Sequence, residues 1–214
     1  MYMRKKMEIS EQLFKKKNVY PAILLVNPDV TRIKQNLDLY RTKKFGPFIA
    51  VYGITDNFEF MGIQKTDAVF SNDLHECWKQ MMTKGKYFRY FSLKQMILHM
   101  IPNRKEDFSK VFPELYVVTT NYSGAGIPSY GGASVLLFPN ILKKMEKIVG
   151  ENYYIIPSSI HEIIIIQNDT ESETKEVLNF MLNSVNQSEV RPEERLCDNV
   201  FTLNQWLDIL MNSR

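Results

Sequence analysis

Residues 133–167 read ASVLLFPNILKKMEKIVGENYYIIPSSIHEIIIIQ, and this stretch decides the fold. The apolar run at 133–138 has the length and composition of a strand. Pro139 then opens an amphipathic helix, because a first helical position needs no amide donor and suits the fixed φ of proline. Gly150 closes it. Two further apolar runs, 153–156 and 160–166, are joined across Pro157, Ser158 and Ser159, residues with turn chemistry. The predicted order is strand, helix, strand, strand, followed by a helix over about 171–185.

Working outward, the same order appears upstream. Residues 22–26 (AILLV) read as a strand, and Asn27, Pro28 and Asp29 as a helix start with cap, proline and acid in favourable order. Val30, Ile33, Leu37 and Tyr40 recur at helical spacing. Residues 48–54 and 58–64 form two apolar runs around Thr55, Asp56 and Asn57 and predict a hairpin. Ser71, Asn72 and Asp73 cap a helix that carries Leu74, Cys77, Trp78 and Met81 on one stripe and ends near Gly85. AILLVNPDVTRIKQNL and ASVLLFPNILKKMEKI both pass from an apolar run through proline into a basic amphipathic helix. The expected fold class is therefore α+β and rich in antiparallel sheet, with two β-α-β-β-α units that read as a divergent internal duplication. The expected division is a basic lead-in at 1–19, a first unit at 20–90, and a helical connection with a strand (115–120) at 91–130. A second unit follows at 131–186, and then an acidic tail at 187–214 whose Trp206, Leu207 and Leu210 dock a final helix.

The chain has 214 residues, 44% of them apolar, enough for a sizeable core. No apolar run approaches the roughly 18 residues of a membrane span. The opening MYMRKKMEISEQ is basic without a following apolar segment, which does not read as a secretion signal; a cytoplasmic location is expected. Two cysteines, Cys77 and Cys197, are too few for a disulfide framework and suit reduced thiols. The net charge of +3 hides an asymmetry: residues 1–110 carry +9 and residues 111–214 carry −6. A basic first half suits a nucleic-acid or acidic protein partner, and the same complementarity suits attraction between halves or between copies in a homo-oligomer.

Four patterns carry possible chemistry. Ser158, Ser159, His161 and Glu162 bring two hydroxyls, an imidazole and a carboxylate within a few residues, the types that nucleophilic catalysis needs. The plain alternative is a turn in which His161 satisfies a backbone carbonyl or packs on Tyr154, since neighbouring strand side chains point to opposite faces. Residues 84–94 (KGKYFRYFSLK) interleave Lys84, Lys86, Arg89 and Lys94 with Tyr87, Phe88, Tyr90 and Phe91. Phosphates need cations and bases need flat stacking partners, so Lys84, Lys86, Tyr87, Arg89, Tyr90 and Lys94 are the candidate binding residues; an amphipathic segment with its aromatics in the core is the ordinary alternative. Residues 122–132 (YSGAGIPSYGG) are glycine-rich but lack the ending of a phosphate loop, and read as a long loop in which Gly131 and Gly132 permit close backbone approach. His75 and Cys77 lie some 200° apart around a helix and cannot share an ion; no metal site and no cofactor is expected.

The segment 115–167, with YVVTTN, GGASVLLFPNILKKM and ENYYIIPSSIHEIIIIQ, resembles an uncharacterised family of anaerobic Gram-positive bacteria. Its members pair a YxLTN-like strand with a GAA-x-x-L-Y-P step and an F-Y-I-L-P-S-S-x-H-E-V hairpin. AILLV and FGPFIAVYGI resemble the family's earlier part more weakly, and a further N-terminal region of the family is replaced here by the basic lead-in. The resemblance implies a fold, a phage or mobile-element setting, and a place for Ser158, Ser159, His161 and Glu162 in the family pattern; it implies no reaction.

These readings lead to the expectation of a non-enzymatic interaction protein, encoded by a phage or mobile element, that binds a macromolecular partner through its basic half, inhibition of a host defence nuclease being one concrete form. The alternative is a small hydrolase built on Ser158, Ser159 and His161, and a third reading is a weak nucleic-acid binder.

Overall fold

The computed structural model describes residues 20–29, 36–55, 59–67, 74–84, 87–95, 115–120, 131–168 and 175–213, without the side chains of Leu74, Cys77, Met81 and Lys84. The first sheet contains β1 (Tyr20–Val26), β2 (Thr42–Phe45), β3 (Phe48–Thr55) and β4 (Phe60–Gly62), all antiparallel. β3 is its spine. β1 pairs along one edge of β3, with Tyr20 opposite Thr55 and Val26 opposite Ile49, while β2 and β4 lie end to end along the other. β2 was not evident in the sequence: three of its four residues are exposed, so it shows no apolar alternation, and its lysines suit a sheet edge. Gly46 and Pro47 join β2 to β3, with Gly46 at φ +53° in the first central position of the turn, where only glycine is unstrained.

β1 is buried on both faces, which explains its unbroken apolar run. Ile23 and Leu25, opposite Tyr52 and Ala50, enter the main core; Leu24 and Val26 line the other face with Val51. α1 (Leu74–Lys84) buries Trp78 and Met82, and Trp78 Nε1 donates to the Gly53 carbonyl at 2.7 Å. The first unit's predicted helix over 30–40 falls partly on residues 30–35, outside the described residues, and 37–39 form a 3-10 turn.

The second sheet has the order β5-β6-β8-β7-β9, all antiparallel, from β5 (Phe88–Ser92), β6 (Leu115–Thr120), β7 (Tyr154–Ile156), β8 (Glu162–Ile166) and β9 (Phe201–Thr202). The helices are α2 (Pro139–Val149), α3 (Lys175–Ser188) and α4 (Leu203–Asn212). α4 begins with a capping box in which the Thr202 hydroxyl accepts from the Gln205 amide and the Gln205 side chain accepts from the Thr202 amide. Antiparallel sheets with helices packed around them make the fold α+β.

One expectation is corrected. Residues 133–138 are not a strand: Gly132–Leu137 is a 3-10 helix with all six residues buried. It touches β1, β6 and β8 and so bridges the two sheets. An apolar run buried on every side shows neither the period of a strand nor that of a helix. The glycines before it let it in. A Cβ on Gly131, at φ +81°, would come within 2.6 Å of the Ile23 carbonyl, and one on Gly132 would collide with the His161 carbonyl. The two units therefore differ where the repeat looked closest, strand in one and 3-10 helix in the other, and a strand-on-strand duplication does not hold.

The main core runs through both halves of the chain, from Ala22 to Leu210. Trp206 is its clasp: its ring lies 5.5 Å from that of Phe48, and its Nε1 donates to the Leu136 carbonyl at 2.8 Å. A smaller core forms on the other face of the second sheet, where Leu178 and Leu182 of α3 cover Ile156, Ile166 and Val200. Each fully buried leucine there contributes about 1.5–3 kcal/mol.

Candidate functional site

The turn from Pro157 to Glu162 sits in a network of side-chain hydrogen bonds. Its backbone pairs with the segment 194–196: the Ile160 amide donates to the Glu194 carbonyl at 2.9 Å and the Leu196 amide to the Ser158 carbonyl at 3.1 Å. The Ser158 hydroxyl donates to Asn186 Oδ1 at 2.7 Å, and Asn186 Nδ2 donates to the Cys197 carbonyl and to Asp198 Oδ1 at 2.9 and 2.7 Å. The Ser159 hydroxyl donates to Glu162 Oε1 at 2.7 Å and accepts from the His161 amide at 3.1 Å. On the other side the His161 carbonyl accepts from Thr119 Oγ1 at 2.9 Å.

The candidate catalytic residues thus meet, but not as a catalytic set. His161 approaches Ser159 through its backbone amide, whereas its ring turns to Glu194, with Nε2 3.6 Å from Oε1. Neither serine hydroxyl bonds to the imidazole; each directs its proton to another acceptor. Both serines are buried, at 7% and 5% exposure, which leaves little room for a substrate carbonyl. A nucleophilic serine needs a base that can take its proton, and here the Ser159 proton goes to a carboxylate rather than to the imidazole. The arrangement ties strand, 3-10 helix, α3 and tail together.

The basic and aromatic segment is split by the strand it forms. β5 pairs with β6 and is at the edge of the second sheet among the described strands. Arg89 and Tyr90 are both exposed, yet consecutive strand residues point to opposite faces, so cation and aromatic ring do not share a surface. Tyr87 packs edge-on against Tyr20 at 5.8 Å between ring centroids, and Phe88 sits 4.7 Å from Phe138. Lys94 is exposed. Lys86 and the side chain of Lys84 lie outside the described residues, as do the glycine-rich loop up to residue 130, His99, the turn at Asp56 and Asn57, and the side chain of Cys77.

Among the described residues no group of three His, Cys, Asp or Glu side chains could hold a metal ion, and no helix is long and apolar enough to cross a membrane. His75 bonds through Nδ1 to the Tyr52 hydroxyl at 3.0 Å. Cys197 is a free thiol; burial raises its pKa, and hydrogen bonds from the Asn199 amide and side chain oppose that rise.

A second surface was not read from the sequence. α3 turns Leu178 and Leu182 inward, but Phe180, Met181 and Val185 face solvent, Phe180 with 77% of its surface exposed. At about 100° per residue Met181 and Val185 flank the buried stripe and Phe180 points almost directly away from it, with the exposed Val177 between Phe180 and Met181, so the helix is apolar over more of its circumference than its own sheet covers. The signal was present in VLNFMLNSV, which has too many apolar residues for a helix with one buried stripe.

A family model matches residues 64–205, a span that includes the Pro157–Glu162 cluster and α3. The chain belongs to DUF5688, a family of unknown function. All four strands of the first sheet precede the DUF5688 match, whereas α1, the 3-10 helix, α2, all five strands of the second sheet and its covering helix α3 lie inside it. No curated protein and no solved structure matches the chain.

Proposed function

We propose that this DUF5688 member is a non-enzymatic interaction protein that binds a protein partner. The observation that carries the reading is the exposed arc of α3. Val177, Phe180, Met181 and Val185 offer a contiguous apolar surface at helical spacing on a helix anchored from beneath by Leu178 and Leu182. Scattered apolar side chains on a surface need no explanation, but a cluster on one helix face marks an interaction site, and anchors at helical spacing are the usual currency of helix-in-groove recognition. The polar cluster at Ser158 and Ser159 supports the same reading from the other side, since its hydroxyls are committed to Asn186 and Glu162.

A direct test is photo-crosslinking from position 180 in the native host, followed by reconstitution of the captured protein with purified chain. The proposal expects a saturable complex that Phe180→Asp weakens at least about tenfold, the scale of an aromatic anchor. If the reconstituted protein binds wild type and Phe180→Asp equally, α3 is not the surface. Turnover by the purified chain that depends on His161 would replace the proposal with the hydrolase.

A further inference from the structure

The face of the first sheet that carries Leu24, Val26 and Val51 holds a cavity of about 320 Å³, in the range of small-molecule sites. Its floor follows from register. Leu24 pairs with Val51, Gly53 with Gly62, and Thr55 with Phe60, so Leu24, Val26, Val51, Phe60 and Gly62 fall on one face, opposite the face that enters the main core. The facing glycines make room for two rings. A Cβ on Gly53 would strike the Phe60 ring and one on Gly62 would come within 2.6 Å of the Tyr40 ring, so each ring lies over a bare backbone position, and both line the cavity.

The remaining wall brings a charge. Glu193, from the 3-10 turn Pro192–Glu194, lines the same cavity and is half-buried. Among the described residues its carboxylate has no hydrogen bond and no ion pair, in contrast to its neighbour Glu194, which faces His161 and Arg191. A carboxylate held at an apolar wall without a partner favours a cation there, and aromatic faces attract cations through their quadrupole.

We propose that this cavity binds an organic ammonium ion with an apolar body, the ammonium meeting Glu193 and the rings of Tyr40 and Phe60, and the body resting on Leu24, Val26 and Val51. The same chemistry is presented by a free amine and by a lysine side chain of a protein. The inference is independent of α3 and stands whether or not that helix binds a partner.

The test is titration of the full chain with phenethylammonium, followed by the amide resonances of Tyr40 and Gly62. Phenethylammonium should bind at least about tenfold more tightly than phenethyl alcohol, its neutral counterpart, which lacks both the ring–cation attraction and the charged pairing. Glu193→Gln should remove that preference; because Glu193 has no partner to lose among the described residues, the variant keeps the fold, and Glu189→Gln, exposed just past the end of α3, serves as the control that retains it. A parallel titration with acetyl-lysine-methylamide separates the sources: tighter binding of the lysine compound assigns the site to a protein side chain, and tighter binding of phenethylammonium assigns it to a free amine. Equal affinity for amine and alcohol, an unchanged preference in Glu193→Gln, or no shift at Tyr40 and Gly62 would overturn the proposal.

Discussion

Ser158 and Asn186 are paired inside the protein: the serine hydroxyl donates to Asn186 Oδ1 at 2.7 Å, and the two residues are 7% and 1% exposed. This bond joins the Pro157–Glu162 turn to α3, and the amide nitrogen of Asn186 extends it to the backbone at Cys197. Asn186→Ala strands the hydroxyl and a carbonyl at once, and should cost about 3 kcal/mol in chemical denaturation, with Ser158→Ala costing about half as much. Equal stability of Asn186→Ala and wild type would mean that the network contributes nothing.

The opposite sign is expected at Ser134. Its hydroxyl is wholly buried in the 3-10 helix and has no hydrogen-bond partner among the described residues. Ser134→Ala removes a desolvated polar atom without stranding a partner, so stability should stay level or rise by about 1 kcal/mol. A loss of more than that, read from the urea midpoint, would show a partner for the hydroxyl.

Gly132→Ala should be among the most damaging single substitutions, costing about 3 kcal/mol or more, since its Cβ meets the His161 carbonyl backbone rather than a movable side chain. Gly150, which unlike Gly132 has a positive φ, has only the Gln167 side chain near it, and Gly150→Ala should carry just the backbone strain, about 1–2 kcal/mol. The ranking of the two by thermal melting is the measurement.

Stability should fall in alkali for an identifiable reason. Burial, and then the Glu146 carboxylate, hold the Tyr153 phenol well above its ordinary pKa of 10.0, and its hydroxyl donates to the Leu142 carbonyl at 2.7 Å. The folded state keeps this proton more tightly than the unfolded state, so the contribution is complete below the unfolded value and declines as pH rises above it. Tyr153→Phe should lose about 1 kcal/mol at neutral pH and show a shallower decline above pH 10.0 than wild type.

Serine-directed covalent probes should label neither Ser158 nor Ser159, because both hydroxyls are buried and donate away from His161. Labelling of either that disappears in His161→Ala would restore the hydrolase reading.

The sequence was legible where the pattern had one cause. Residues 115–120, a short apolar and β-branched run, form β6, 153–166 enclose β7 and β8, and Trp206 and Leu210 dock α4 as expected. It was opaque where two causes overlapped. Residues 133–138 are apolar because the 3-10 helix is enclosed by sheet, and composition alone could not separate that from a strand. β2 was hidden by its exposed lysines. At the candidate site the turn itself was readable, but the bond from Ser158 to Asn186 spans 28 residues and that from Thr119 to the His161 carbonyl spans 42, which no local spacing encodes. Glu193 stood out only once its surroundings were known, since an unpaired carboxylate is a property of a surface, whereas the excess of apolar residues around Phe180 was visible in VLNFMLNSV.

The 3-10 helix also sets an order of events during synthesis. β1 rests against residues that follow it by more than a hundred positions, and Trp206 must arrive before Phe48 and Leu136 are covered. A nascent chain released at residue 130 would carry β1 and β3 with their inner face covered by α1 but not by the 3-10 helix or α4, so completion of the main core waits for the tail to leave the ribosome, and such a long-range closure is slow relative to local pairing. Arrested chains ending before residue 132 should therefore remain protease-sensitive across the first sheet, and become resistant only when the last helix has emerged.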